Sequence, residues 1–252
     1  ASVVAVPTTA GSGSEATRFA ALYVDGIKHS LDHAHLRPAV ALVDANLVLS
    51  SPPLLLASTG LDALCQSIES YWAVRATPAS RALARQGIEA VWTHLTHAVR
   101  TGDSAAIAAL SRGAWCAGRA IDQTRTTAAH ALSYPLTMHL GIPHGHAVAL
   151  TLPFFFRING APGDRALQSG VQASELVATM RALCDLLGGG SIEACAQRLE
   201  ALPPALGLTH RLGDAADAEL SAMAREINLA RLANNPVAIG EEDVLEAWQR
   251  LR

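Results

Sequence analysis

Gly60-Leu61-Asp62-Ala63-Leu64-Cys65-Gln66-Ser67-Ile68-Glu69-Ser70-Tyr71 reads as one helix, because Leu61, Leu64, Cys65 and Ile68 recur at α-helical spacing. Asp62 and Gln66, one helical turn apart, then project from the same face. Further along the chain, His130 and His144 supply two imidazoles, the second inside Gly-Ile-Pro-His-Gly-His over 141–146. A carboxylate with two imidazoles combines hard oxygen and borderline nitrogen donors, a mixture that divalent iron or zinc accepts, and leaves positions for a substrate oxygen or water. Such an open site can polarise a carbonyl. Spacing alone is weak support for a metal site, since the chain has ten histidines and the candidate ligands lie far apart in sequence.

Outward from this helix, Pro52-Pro53 mark a boundary. Beyond it, β-branched runs are few and Ala/Leu-rich stretches with helical periodicity cover 54–73, 78–100, 104–121, 124–139, 146–158, 172–187, 191–201 and 216–231. Gly188-Gly189-Gly190, Pro203-Pro204 and Asn234-Asn235-Pro236 punctuate this body as loops, and 241–250 reads as a last short helix opened by acidic residues. Before the boundary, Ser2-Val3-Val4-Ala5-Val6 reads as a buried strand. Phe19 to Tyr23 and Ile27 to Leu31 read as a hairpin turning at Asp25-Gly26, and 39–44 as another strand. The expected fold is mainly α, with a small α/β portion at 1–52 and an all-helical domain at 53–252.

With 252 residues, half of them apolar and 16% charged, the chain can bury a substantial core. A net charge of −3 and the lack of basic blocks argue against a polyanion-binding protein. The most apolar stretch, Ala147 to Phe156, is interrupted by Pro153 and too short to span a bilayer. Cys65, Cys116, Cys184 and Cys195 show no paired short spacing and read as buried apolar residues of a reducing compartment, which makes the cytoplasm the expected location.

Other candidates admit two readings. In Thr8-Thr9-Ala10-Gly11-Ser12-Gly13-Ser14-Glu15, the glycines allow close backbone approach and the hydroxyls can bond ribose or phosphate oxygens; in isolation the segment is a polar turn. Arg125, with Thr126 and Thr127, can gather an anion near the metal or form an interhelical salt bridge. His29, His33 and His35 read as a solvated loop, because no cysteine or glutamate completes a closed site.

Four segments in order, Thr8 to Glu15, Gly60 to Leu64, Ala129 to Leu136 and Pro143 to His146, resemble the iron-containing (group III) alcohol dehydrogenase family over nearly the whole chain. The resemblance implies a dehydroquinate synthase-like fold whose helical C-terminal domain binds the metal, with 1–52 a remnant of the dinucleotide-binding α/β domain and its glycine-rich pyrophosphate loop outside this sequence. It implies Asp62, His130 and His144 as ligands of Fe2+ or Zn2+, with Gln66 where many members have histidine. An amide oxygen is harder and usually weaker than imidazole nitrogen. The family's second histidine, facing the reacting carbon, falls on Tyr134, which with His146 is a candidate proton donor. Thr8, Thr9, Gly11, Ser12 and Lys28 are implied to face NAD(H) or NADP(H), and the expected partners are a small aldehyde or alcohol and a second copy of the chain. Lys28 to His33, Gln66 with Glu69 to Trp72, and Thr124 to Pro135 look most like the phosphonoacetaldehyde-reducing branch, in which Arg125 has a phosphonate to bind. Two other readings stay open, an inactive helical fragment and a metal-dependent synthase of the dehydroquinate type.

Overall fold

The structure, a computed structural model, describes residues 2–24, 27–212, 217–227 and 229–252; the expected turn at Asp25-Gly26 lies outside them. The first residues build two small strand pairs. Strand β1 (Val4–Ala5) runs parallel to β4 (Val40–Ala41), while β2 (Phe19–Val24) and β3 (Ile27–Asp32) form an antiparallel hairpin in register from Phe19↔Asp32 to Val24↔Ile27. The expectation of a buried strand over Ser2 to Val6 is not met. Pairing narrows to Val4–Ala5, and Val3, Val4 and Val6 are 52%, 59% and 43% exposed. A parallel strand is buried when helices cover both faces of a larger sheet, and a two-stranded pair among the described residues provides no such cover.

Past Pro52 the chain is helical. The helices are α1 (Pro53–Trp72), α2 (Pro78–Thr101), α3 (Ser104–Thr124), α4 (Ala128–Leu140), α5 (His144–Gly160), α6 (Ala173–Leu187), α7 (Ile192–Ala205), α8 (Asp217–Ala224), α9 (Leu229–Leu232) and α10 (Glu241–Gln249). Their ends follow local chemistry. Pro53 and Pro78 occupy first-turn positions, where a missing N–H costs nothing, and Thr77 and Ser80 cap α2 reciprocally. Asp103 accepts the Ala106 N–H at 2.8 Å to start α3.

Three expected boundaries shift for identifiable reasons. The helix expected from 124 begins at Ala128, because Arg125 takes a left-handed backbone (φ 63°) that ends α3. The single helix expected over 216–231 divides into α8 and α9. The N–H groups of Arg225, Glu226 and Ile227 bond the carbonyls three residues back, the tightened geometry in which a helix ends. Pro203 and Pro204 lie in the last turn of α7 rather than in a loop, with the Leu206 N–H closing that turn on the Leu202 carbonyl at 3.2 Å.

Helix α1 is the axis of the body. From Leu56 to Ser70 only Thr59 escapes full burial, so α1 is a core helix enclosed by α2, α3 and α5 rather than a surface helix with one wet face. Trp72 closes its end edge-to-face on Phe156 of α5, with ring centroids 5.9 Å apart. All four cysteines are free and buried, in keeping with their expected packing role. No described helix is long and apolar enough to cross a membrane.

Because α1 is enclosed, its polar residues Asp62, Gln66 and Glu69 sit where a charge is costly unless it is paired. Their surroundings therefore define the place to look for chemistry.

Candidate metal centre

Helices α1, α4 and α5 bring the three expected ligand groups together. Ligand atoms of Asp62, His130 and His144 all lie within 4.8 Å of one another. His130 Nε2 is 3.1 Å from Asp62 Oδ1, and His144 Nε2 is 3.9 Å from the same oxygen. Asp62 and His130 are 6% and 3% exposed, and His144 is half-buried at the opening.

Gln66, the fourth expected ligand, lines the same cavity. Its Oε1 is buried with no hydrogen-bond partner. A buried amide oxygen that accepts no hydrogen bond, beside a carboxylate and two imidazoles, has a lone pair that a divalent cation would satisfy. The residues present thus fit a metal ion. Burial by itself pushes the Asp62 carboxyl up, but the His130 hydrogen bond and the charges of His144 and His130 outweigh it and hold the group below its ordinary range.

Behind His130 stands Glu69, fully buried on the same face of α1. Its Oε1 accepts the Thr127 hydroxyl at 2.7 Å, the Thr127 N–H at 3.2 Å and the His130 N–H at 3.3 Å, and its Oε2 bonds His130 Nδ1. Burial pushes Glu69 up, yet the His130 charge and these hydrogen bonds keep it ionised and low. His130 feels the reverse. Desolvation lowers its pKa, but Glu69 and Asp62 overcome that and raise it to about 9. With Glu69 on Nδ1, Nε2 is the nitrogen aimed at Asp62 and at the ligand set.

The approach of α5 to α1 depends on Gly145. A Cβ there would lie 2.0 Å from the Ser58 carbonyl oxygen and 2.7 Å from Asp62 Cβ. Gly145→Ala is expected to push the start of α5 off α1, costing about 1–3 kcal/mol of stability and at least tenfold in metal affinity, since His144 is the adjacent residue. Thermal melts and metal titration together check this; unchanged metal affinity would separate the helix contact from the ligand set.

The candidate ligands form part of the wall of a cavity of about 360 Å³ that Ser12, Arg75, Arg125, Tyr134 and Arg231 also line. Tyr134 stacks on His144, with centroids 5.4 Å apart and planes at 21°, and its hydroxyl oxygen accepts from Arg231. Burial raises the Tyr134 pKa more than Arg231 lowers it, so the phenol keeps its proton. Arg125 is the only non-glycine among the described residues with positive φ, a backbone cost on the order of 1–3 kcal/mol. Its side chain is ion-paired to Asp32 of β3, so the salt bridge weighed from the sequence exists, to a strand rather than a helix.

The remaining expected site residues divide. Ser12 lines the cavity; Thr8, Thr9, Gly11 and His146 are not among its lining residues. Gly11 and Gly13 are packed against protein, Gly11 on Thr59 of α1 and Gly13 on Gly118 of α3. The His146 ring turns the other way, Nε2 lying 2.7 Å from the Thr209 carbonyl oxygen, and burial lowers its pKa. The Lys28 side chain lies outside what the structure describes. Sequence reasoning missed the roles of Glu69 and Arg231. For Glu69 a signal existed, a charged residue on the Asp62 and Gln66 face of an otherwise apolar helix. For Arg231 nothing local marks it.

Known proteins give the same picture. Residues 56–251 match the model of the Fe-containing alcohol dehydrogenase family, C-terminal, and residues 1–45 match that of iron-containing alcohol dehydrogenase. A phosphonoacetaldehyde reductase of Streptomyces viridochromogenes is 40% identical over 254 residues, covering 96% of this chain and 62% of that protein. The sulfoacetaldehyde reductase of Bifidobacterium kashiwanohense, solved in complex with NAD+, superposes with a TM-score of 0.86 at 32% identity, covering 99% of this chain and 64% of that one. The iron-containing alcohol dehydrogenase of Thermococcus thioreducens gives a TM-score of 0.87 at 28% identity, with 99% and 64% covered. The chain thus spans a little under two thirds of the length of these relatives. With a family model matched over most of its length, the chain belongs to the iron-containing alcohol dehydrogenase family.

Proposed function

We propose that the full-length protein is a metal-dependent, NAD(P)-linked alcohol dehydrogenase that reduces a small aldehyde, with phosphonoacetaldehyde as the first candidate. The observation that carries this reading is the convergence of Asp62, His130 and His144 around the unpaired, buried Gln66 Oε1. Residues 53–252 act as the metal-binding catalytic domain and 1–52 as the edge of the dinucleotide-binding domain.

Asp62, Gln66, His130 and His144 would hold Fe2+, or Zn2+, which acts as a Lewis acid toward the aldehyde oxygen while the nicotinamide supplies hydride. Glu69 keeps the His130 ring turned so that Nε2 faces the ligand set. Tyr134 holds a proton beside His144, fixed by the bond from Arg231, and is the group best placed to deliver it to the nascent alcohol. His146 stands second in that role, because its ring must first leave the Thr209 carbonyl. Arg125 attracts an anionic substrate group. By resemblance to the family Thr8, Thr9, Gly11, Ser12 and Lys28 belong to the dinucleotide side of the cleft; of these Ser12 lines the same cavity as the candidate ligands.

The test is a pair of measurements on the full-length protein. Purified without added metal, it should carry about one equivalent of iron or zinc, and it should oxidise NADH or NADPH only when a short aldehyde is present. A protein that binds no divalent metal after reconstitution overturns the reading. Metal binding without aldehyde-dependent oxidation supports a catalytically inactive module instead.

A further inference from the structure

We infer that Asn234, seated by Asn235, is a positioning residue of the metal centre: it holds the turn at Arg125 from which α4 and His130 start, and ties that turn to the helices carrying the other candidate ligands. This rests on the metal-centred reading of Asp62, Gln66, His130 and His144, and adds a residue that hydrogen-bonds none of them. Asn234 is 7% exposed and Asn235 is fully buried. The Asn234 carbonyl oxygen accepts the Val74 N–H at 3.0 Å, just past the end of α1, the helix of Asp62 and Gln66. Its Nδ2 donates to the carbonyls of Thr124 and Thr126 at 2.9 and 3.0 Å, on either side of Arg125 and just before α4. Asn235 exchanges amide hydrogen bonds with Asn159 of α5, the helix of His144, at 2.9 and 3.1 Å, and donates to the Val237 carbonyl at 2.8 Å. All three ligand-bearing helices thus meet one dipeptide that is remote from them in sequence.

The direction of the Asn234 amide follows from what it meets. Carbonyl oxygens only accept, so the amide nitrogen faces both of them, and Oδ1 is left buried with no hydrogen-bond partner. What the two bonds hold is a conformation that an arginine does not adopt unaided. Arg125 has φ 63° and ψ 177°, a backbone region that glycine alone enters readily. Gripping the carbonyls before and after Arg125 fixes the chain on both sides of the strained residue. The chain leaves this turn at Thr127, whose hydroxyl and N–H both bond Glu69 Oε1, and Glu69 in turn accepts the His130 N–H and holds the His130 ring. A turn that relaxed would carry Thr127 off Glu69 and release the orientation of His130 Nε2 toward Asp62.

The test measures zinc affinity by competition with a chelator, and the visible spectrum after cobalt loading, well below the Tm of every protein compared. The full-length wild type is set beside Asn234→Ala, Arg125→Gly and the double variant. Asn234→Ala should weaken zinc binding about tenfold and alter the cobalt spectrum, as when an outer partner of a metal ligand is lost. Adding Arg125→Gly should return most of that loss, because glycine enters the same backbone region without being held there. Asn234→Asp, which sets a carboxylate oxygen against both carbonyls, should weaken zinc more than Asn234→Ala does. Asn234→Ser can still donate to one carbonyl; it should fall between the wild type and Asn234→Ala, and it carries the same comparison with Arg125→Gly if Asn234→Ala does not fold. A purely structural Asn234 would lower the Tm of the metal-free protein and leave zinc affinity and the cobalt spectrum unmoved, which overturns the inference. A loss of affinity that Arg125→Gly leaves in place overturns the part assigned to the turn. If the wild type binds neither zinc nor cobalt, the metal-centred reading falls and this inference with it; if the wild type and Asn234→Ala bind both equally well, that reading stands and this inference alone falls.

Discussion

His130→Ala is expected to abolish tight binding of divalent metal and to lower the stability of the metal-free protein at the same time. Zinc held by four protein ligands is bound with about 10–16 kcal/mol, so one ligand of four represents on the order of 3 kcal/mol, a loss of roughly 100-fold or more. The stability loss has a different origin. Glu69, with none of its surface exposed, would keep its bonds from Thr127 but lose the ring that balances its charge. Stranding a buried charge costs about 3–5 kcal/mol, a fall in Tm on the order of 10 °C for a chain of this size. The double variant His130→Ala with Glu69→Gln separates the two effects. It should regain most of the lost Tm, because no buried charge is stranded, and none of the metal affinity. Metal bound by His130→Ala as tightly as by the wild type, in competition with a chelator, would remove His130 from the ligand set.

Glu69→Gln alone is expected to weaken metal binding about 10–100-fold with little change in fold. The amide keeps the volume of the side chain and can still accept from Thr127. It differs at His130. The carboxylate accepts the Nδ1 proton and leaves Nε2 as the nitrogen facing Asp62, whereas an amide N–H placed there donates to Nδ1 and favours the tautomer protonated at Nε2. That tautomer has no lone pair for a metal. A cobalt-loaded protein would report the change as an altered visible absorption spectrum, a signal that a purely structural role would not move. An unchanged spectrum and affinity would mean that Glu69 serves only to hold Thr127 and the turn before α4.

The helical body was legible from Leu61, Leu64, Cys65 and Ile68, and from the periodic stretches after Pro52-Pro53, because helices form from contacts close in sequence. A break between α3 and α4 was legible, but not its place: the periodic stretches put it at 122–123, and the structure puts it at 125–127. Nothing in Thr124 to Thr127 forbids a continuous helix. What ends it is Arg125 in the left-handed region, with Asn234 gripping the Thr124 and Thr126 carbonyls and Thr127 bonded to Glu69 and to the Trp72 indole. Those partners lie more than 50 positions away. The strand expected to be buried at the start failed for the same kind of reason, since burial depends on what lies over a strand and not on its own β-branched residues.

Residue identity by itself determined the class of fold and pointed to the chemical kinds of the candidate ligands: a carboxylate and an amide one helical turn apart, and two imidazoles downstream. Tertiary structure alone decided that Glu69 orients His130, that Arg231 rather than a residue of the recognisable motifs braces Tyr134, and that His146 faces Thr209. Local periodicity specifies which face of a helix a side chain occupies. Only the packing of α1 against α4 and α5, and of the segment after α8 against α4, specifies what that face meets.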